Sequence, residues 1–168
     1  YQYEKKLLLL LQWQRSGGFW VLKSPHHLAH LQNFISVFPA TKVVWMHRQL
    51  EQCVPSFLSM LYYSRSMFTK NVDQELIKAH WLPKLKNMLR AGQAFDALHS
   101  DKVLDIYFSV FMQLEKSVLR EVMMFLKEGR KKSGTTESAD QKNFRSRHRY
   151  TMQDWGLDAD SIRNDFDF

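Results

Sequence analysis

The chain has 168 residues and a mass of 20.0 kDa, with 45% hydrophobic and 24% charged residues. That is the length of one domain able to bury a core, and the composition excludes disorder throughout. The single cysteine, Cys53, excludes an internally disulfide-built module and a cysteine-built metal site, and the net charge of +7 calls for an anionic partner such as a phosphorylated small molecule, a nucleic acid or an acidic surface. The charge is uneven: Lys127 to Arg149 holds 8 basic and 3 acidic residues, whereas the chain from Tyr150 onward holds 5 acids and 1 base. The longest pure apolar run, Leu7 to Leu11, falls far short of the roughly 20 residues a membrane span requires. Its flanks do not suit a signal peptide, so a cytoplasmic location is favoured.

In chain order, Tyr3 to Trp13 reads as a helix with Tyr3, Leu7, Leu10 and Leu11 on one stripe, ended by Ser16-Gly17-Gly18. Phe19-Trp20-Val21-Leu22 has the pattern of a buried strand. Ser24-Pro25 suits an N-cap followed by proline at the first helical position, and Leu28, Leu31, Ile35 and Phe38 give the next helix its apolar face. Lys42 to Met46 is a second strand, so residues 19–46 predict a βαβ unit and a parallel sheet. Helices are expected at about Leu50–Phe68 and Asp73–Leu89, the latter kinked at Pro83, then a strand at Val103–Phe108 and a helix at Phe111–Leu126. Residues 128–146, rich in Gly, Ser, Thr and Lys, read as a mobile loop within a single domain spanning 1–168. After Tyr150, Trp155, Leu157, Ile162 and Phe166 supply apolar groups able to dock on the body.

Ligands of open α/β sheets bind at the carboxyl ends of the strands. Lys23-Ser-Pro-His-His27 follows the first expected strand and His47-Arg48 the second, with Ser56 eight positions beyond Arg48. A lysine and an arginine at neighbouring strand ends make an anion pocket, the guanidinium offering a bidentate fork and the ammonium a point charge. The plainer reading of each is a strand-end charge in solvent.

These residues carry a resemblance. Trp20-Val-Leu-Lys-Ser-Pro-His-His-Leu28, Val37-Phe-Pro39, Val43-Val-Trp-Met-His-Arg48 and Val54-Pro-Ser56 resemble segments of the sulfotransferase superfamily, as do Arg147-His-Arg-Tyr150, Gln153 to Asp158 and Ile162. The resemblance implies an α/β fold of the P-loop-kinase-like type, here a partial parallel sheet flanked by helices, without its N-terminal strand and phosphosulfate loop. It implies transfer of a sulfuryl group from 3′-phosphoadenosine 5′-phosphosulfate (PAPS), leaving adenosine 3′,5′-bisphosphate (PAP), to a hydroxyl or amine of a small-molecule or glycan acceptor. Arg48 and Ser56 match the pair that holds the 3′-phosphate, and Lys23 matches the strand-end lysine that would face the leaving oxygen. His27 matches a histidine that would serve as general base. Tyr107 matches an aromatic near the adenine, and Arg147, His148 and Tyr150 match a segment closing over the 3′-phosphate. The plainer readings are a packed histidine for His27, a core tyrosine for Tyr107 and a solvated basic segment for the last three.

Three features depart from the pattern. The R-S-G-T-T phosphosulfate loop is not found in its place, and Arg130-Lys-Lys-Ser-Gly-Thr-Thr136 imitates it in the wrong context, after a helix and before a polar stretch. Gln49-Leu50 stands where an Asp-Pro pair is usual, and Phe108-Ser-Val-Phe111 lacks the usual acidic residue. Without a donor loop, turnover by these residues alone is expected to be very weak or absent, and a catalytically inactive interaction module is the alternative. A nucleic-acid binder using Lys127 to Arg149 has the charge but no recognised motif. Tyr62, Tyr63, Phe68, Trp81 and Met88 read as core, or as the lining of an apolar acceptor pocket.

Overall fold

The computed structural model describes residues 1–13, 18–128 and 150–166. Helix α1 spans Gln2–Gln12, where a leucine run of high helix propensity follows Glu4 in the first turn. A 3-10 helix, Pro25–His30, leads into α2, Leu31–Val37. Strand β1 is Val43–His47, followed by α3, Leu50–Ser66, and α4, Gln74–Leu98. Strand β2 is Val103–Tyr107, and α5, Phe108–Gln113, and α6, Glu115–Glu128, follow it. A 3-10 turn at Gln153–Trp155 and α7, Ala159–Phe166, complete the described chain.

The sheet is a parallel β1–β2 pair in register, with Val43 opposite Val103 and His47 opposite Tyr107. Alternation along the strands divides its faces. Val43, Trp45 and Val103 pack with Leu28, Leu31, Ile35 and Phe95 beneath the 3-10 helix, α2 and α4. On the other face, Leu104 and Ile106 pack with Val118 and Phe125 of α6. Lys42, just before β1, ties that layer down, its Nζ donating to the Phe125 and Leu126 carbonyls at 2.7 and 2.9 Å. These belong to the terminal carbonyls that a helix cannot satisfy itself.

A third cluster joins α3 and α4 to the tail: Val54, Leu58 and Ile77 are buried with Trp155, Ile162 and Phe166, and Leu157 packs against them. The expected docking of the tail is thus present. Trp155 Nε1 donates to Ser59 Oγ at 2.9 Å, Lys78 Nζ donates to the Trp155 carbonyl at 2.8 Å, and Arg163 pairs with Glu51 at 2.8 Å.

Several expectations are corrected. Residues 19–24 form no regular secondary structure, so the βαβ unit over 19–46 does not exist; β1 pairs with β2, through the α3–α4 crossover. Apolar composition alone does not make a ladder, and no strand lies beside this segment among the described residues, which leaves Phe19 and Val21 exposed. The α1 stripe of Tyr3, Leu7, Leu10 and Leu11 is likewise exposed. Helix α4 continues through Pro83 to Leu98; Pro83 and Ala79 are both exposed, so the carbonyl deprived of its donor lies on the solvent side. The helix expected at 111–126 is two helices broken at Leu114. Met88 is core, whereas Tyr62, Tyr63 and Phe68 are exposed and so are not core. The loop expected at 128–146 and the imitation loop at 130–136 lie outside the described residues, apart from the helical end of α6 at Glu128.

Candidate functional site

The parallel register brings two polar strand ends together. His47 closes β1 and Tyr107 closes β2, directly opposite each other, with their rings stacked at 5.3 Å and 29°. Asp105 lies two residues before Tyr107 and therefore on the same face. Its Oδ1 accepts from His47 Nε2 at 2.8 Å, and Trp45 lies against the other side of the imidazole at 4.6 Å.

Arg48 follows immediately. Its guanidinium lies over the Phe108 ring at 5.1 Å, and its Nε donates to Gln52 Oε1 at 3.1 Å. Gln52 and Ser56 are four apart on α3 and so share a helix face. The steps 48, 52, 56 carry the arginine toward the serine along that face. Gln52 is neutral, and among the described residues no carboxylate pairs with Arg48 to neutralise its positive charge. That charge is felt next door. Burial pushes the Cys53 thiol above its ordinary pKa, and Arg48 pulls it back in part. Gln49-Leu50 does not disturb the strand-to-helix turn. The Gln49 carbonyl accepts from the Gln52 and Cys53 amides at 3.1 and 2.9 Å, and Leu50 packs against the α3–α4–tail core.

Lys23 is exposed near the end of the irregular segment 19–24 and makes no hydrogen bond or ion pair among the described residues. Ser24 caps the 3-10 helix as expected, its Oγ accepting from the His26 amide at 3.3 Å with Pro25 at the first position. His27 is half-buried on that helix. Its Nδ1 lies 3.1 Å from the Tyr1 hydroxyl, and its ring packs edge-on against Phe34 at 5.1 Å. Burial first, and Glu4 second, push the Tyr1 phenol above its ordinary pKa, so it keeps its hydrogen near neutral pH. The 3-10 helix reaches the sheet at Gly92: Leu28 and Trp45 both crowd the space where a Cβ would stand there.

The structure therefore brings Arg48, Gln52 of α3, His47, Tyr107 and Phe108 together at the paired strand ends, with Ser56 one turn beyond Gln52 on α3. It places Lys23 and His27 on a separate segment, with no contact joining Lys23 to Arg48. Tyr107 faces His47, and the aromatic against Arg48 is Phe108. Tyr150 is half-buried before the tail turn; Arg147 and His148 lie outside the described residues. Asp105, Gln52 and Phe108 were not singled out in the sequence. The two-residue period of β2 and the four-residue period of α3 are the signals that point to the first two.

Among the described residues, no cluster of three or more His, Cys, Asp or Glu side chains suits a metal ion, and no helix is long and apolar enough to cross a membrane. Searches among curated proteins and among solved structures give no match to the chain. A profile of the sulfotransferase family matches residues 2–131, taking in the irregular segment 19–24, β1, β2, Arg48 and Ser56 but ending before the tail. That span is well over half of the chain, and with the parallel strand ends and the Arg48–Ser56 spacing inside it, the chain belongs to the sulfotransferase family.

Proposed function

We propose that this chain binds the 3′-phosphoadenosine moiety of PAPS at the carboxyl end of β1 and β2 and supports sulfuryl transfer to a hydroxyl or amine of a small-molecule or glycan acceptor. The observation that carries the reading is Arg48: a guanidinium at a parallel strand end, over the Phe108 ring, held by a neutral amide and free of any carboxylate among the described residues. That arrangement fits a phosphate. The fork is oriented by stacking and one hydrogen bond, and its remaining N–H groups are donors without a competing anion. Ser56, on the same helix face as Gln52, adds a hydroxyl donor.

PAPS supplies the activated sulfuryl group; the chain's residues position and neutralise. Arg48 and Ser56 hold the 3′-phosphate, and Tyr107 with Phe108 offers aromatic surface beside it. Lys23, whose ammonium has no partner among the described residues, is suited to the oxygen that becomes anionic as the sulfuryl group departs. Such transfers need in-line positioning and charge rather than covalent participation by the protein. His27 stands on the acceptor side, and Arg147, His148 and Tyr150 are proposed to close over the 3′-phosphate.

Calorimetric titration of wild type and Arg48→Ala with PAP tests the site. Loss of a charge-assisted contact of about 1.5–3 kcal/mol should weaken binding by roughly 10- to 150-fold. Equal affinities would remove Arg48 from the phosphate site.

A further inference from the structure

We infer that His47, oriented by Asp105, is the group that takes the proton from the acceptor; the inference rests on the sulfuryl-transfer reading. Two imidazoles compete for this role, His27 on the 3-10 helix and His47 at the β1 end, and they differ in what fixes their hydrogens. His27 Nδ1 meets the Tyr1 hydroxyl at 3.1 Å, a group that can donate or accept. When the phenol donates, His27 Nε2 must carry the ring hydrogen, and the neutral ring has no lone pair left for a proton. His47 Nε2 meets Asp105 Oδ1 at 2.8 Å, and a carboxylate only accepts. The hydrogen of a neutral His47 is therefore on Nε2, and the lone pair on Nδ1.

No group among the described residues takes that Nδ1. The ring is held between Trp45 and Tyr107, so it is oriented as well as tautomerically fixed. The side chain keeps 30% of its surface open, at the strand end beside Arg48. A carboxylate on the far nitrogen also stabilises the imidazolium that forms when Nδ1 is protonated, the logic by which an aspartate orients a catalytic histidine.

The step balances as follows. The acceptor oxygen bonds to sulfur while the sulfur–oxygen bond to the 5′-phosphate breaks. That electron pair leaves with PAP, and the acceptor's proton moves to His47 Nδ1. His47 is then a catalytic residue and Asp105 a positioning residue. His27, held by Tyr1, is left to donate a hydrogen bond to the acceptor.

The test joins a spectroscopic readout to transfer. In the isotope-labelled chain, at a pH where the rings are neutral, nitrogen NMR of the histidine rings should show His47 hydrogen on Nε2 and a bare Nδ1, and Asp105→Ala should redistribute that hydrogen between the nitrogens. Single-turnover transfer from radiolabelled PAPS to 2-naphthol, which detects even a slow chain, should fall by about 100-fold or more in His47→Gln. PAP affinity in the same variant should change less than about threefold. A hydrogen on His47 Nδ1 in wild type, an unchanged tautomer in Asp105→Ala, or transfer by His47→Gln at the wild-type rate would each overturn the inference. So would a wild-type chain that binds PAP but transfers nothing. Failure of wild type to bind PAP would instead sink the donor-site reading, a distinct outcome.

Discussion

Gly92→Ala should destabilise the fold, although alanine is the better helix former. Gly92 lies inside α4, where glycine normally costs about 1 kcal/mol relative to alanine. Here the missing side chain is what lets three elements meet. A Cβ at 92 would stand 2.8 Å from Trp45 Cη2 and 2.9 Å from Leu28 Cγ, with Leu28 Cδ1 closer still. Ordinary carbon contacts are about 3.5–4.0 Å, so the neighbours must retreat by more than half an ångström. Trp45 is restrained by its packing on His47, and Leu28 by the 3-10 helix that carries His27. Overpacking costs roughly 1–3 kcal/mol, and with two side chains displaced at once the cost here falls at about 2–3 kcal/mol, so the helix-propensity gain of about 1 kcal/mol offsets only part. A net loss of about 1–2 kcal/mol should lower the calorimetric midpoint by several degrees, at roughly 2–4 °C per kcal/mol for a chain of this size. Leu28→Ala in the Gly92→Ala background should then cost less than in wild type, because the new methyl occupies the vacated space. Gly92→Ala as stable as wild type, or strict additivity in the double mutant, would refute the reasoning.

Removing Arg48 should also slow alkylation of Cys53 by iodoacetamide. Arg48 holds the thiol pKa below where burial alone would set it, so Arg48→Ala raises the pKa and lowers the thiolate fraction at a fixed, mildly alkaline pH; an unchanged rate would show that the two groups do not interact. Trp155→Ala should cost about 3–5 kcal/mol in urea unfolding, because the indole is 3% exposed and anchors the tail to α3. Trp155→Phe should recover most of that and lose about 1 kcal/mol with the Ser59 hydrogen bond. A tail that contributes nothing to stability would leave both variants at the wild-type midpoint.

What the sequence revealed follows from how local each signal is. The β-branched run Val43-Val44 and the run at Val103 gave both true strands, and Ser24-Pro25 marked a helix start that the structure retains. Trp155, Ile162 and Phe166 announced the docked tail because large apolar groups among acids have little else to do. The failures are questions of neighbours. Phe19 to Leu22 has strand composition, but a strand exists only where another backbone lies alongside. The leucines of α1 have helical spacing, yet spacing cannot say whether anything covers the stripe. The site divided in the same way. Arg48 and Ser56 could be proposed from the sequence because the resemblance that points to them rests on a fixed local spacing across one strand–helix turn. The His47–Asp105 pair, 58 residues apart, depends on the register of β1 against β2, which no local pattern carries. That register also gave Tyr107 to His47 and left Phe108 to Arg48.

The central claim is that the β1 strand end recognises a 3′-phosphate. Its most direct test is to titrate the wild-type chain with PAP and, separately, with adenosine 5′-phosphate, which differs only in lacking that group. Through Arg48 alone the 3′-phosphate should strengthen binding by at least about 10-fold, and the preference should vanish in Arg48→Ala. Equal affinity of the wild-type chain for the two nucleotides would contradict the claim.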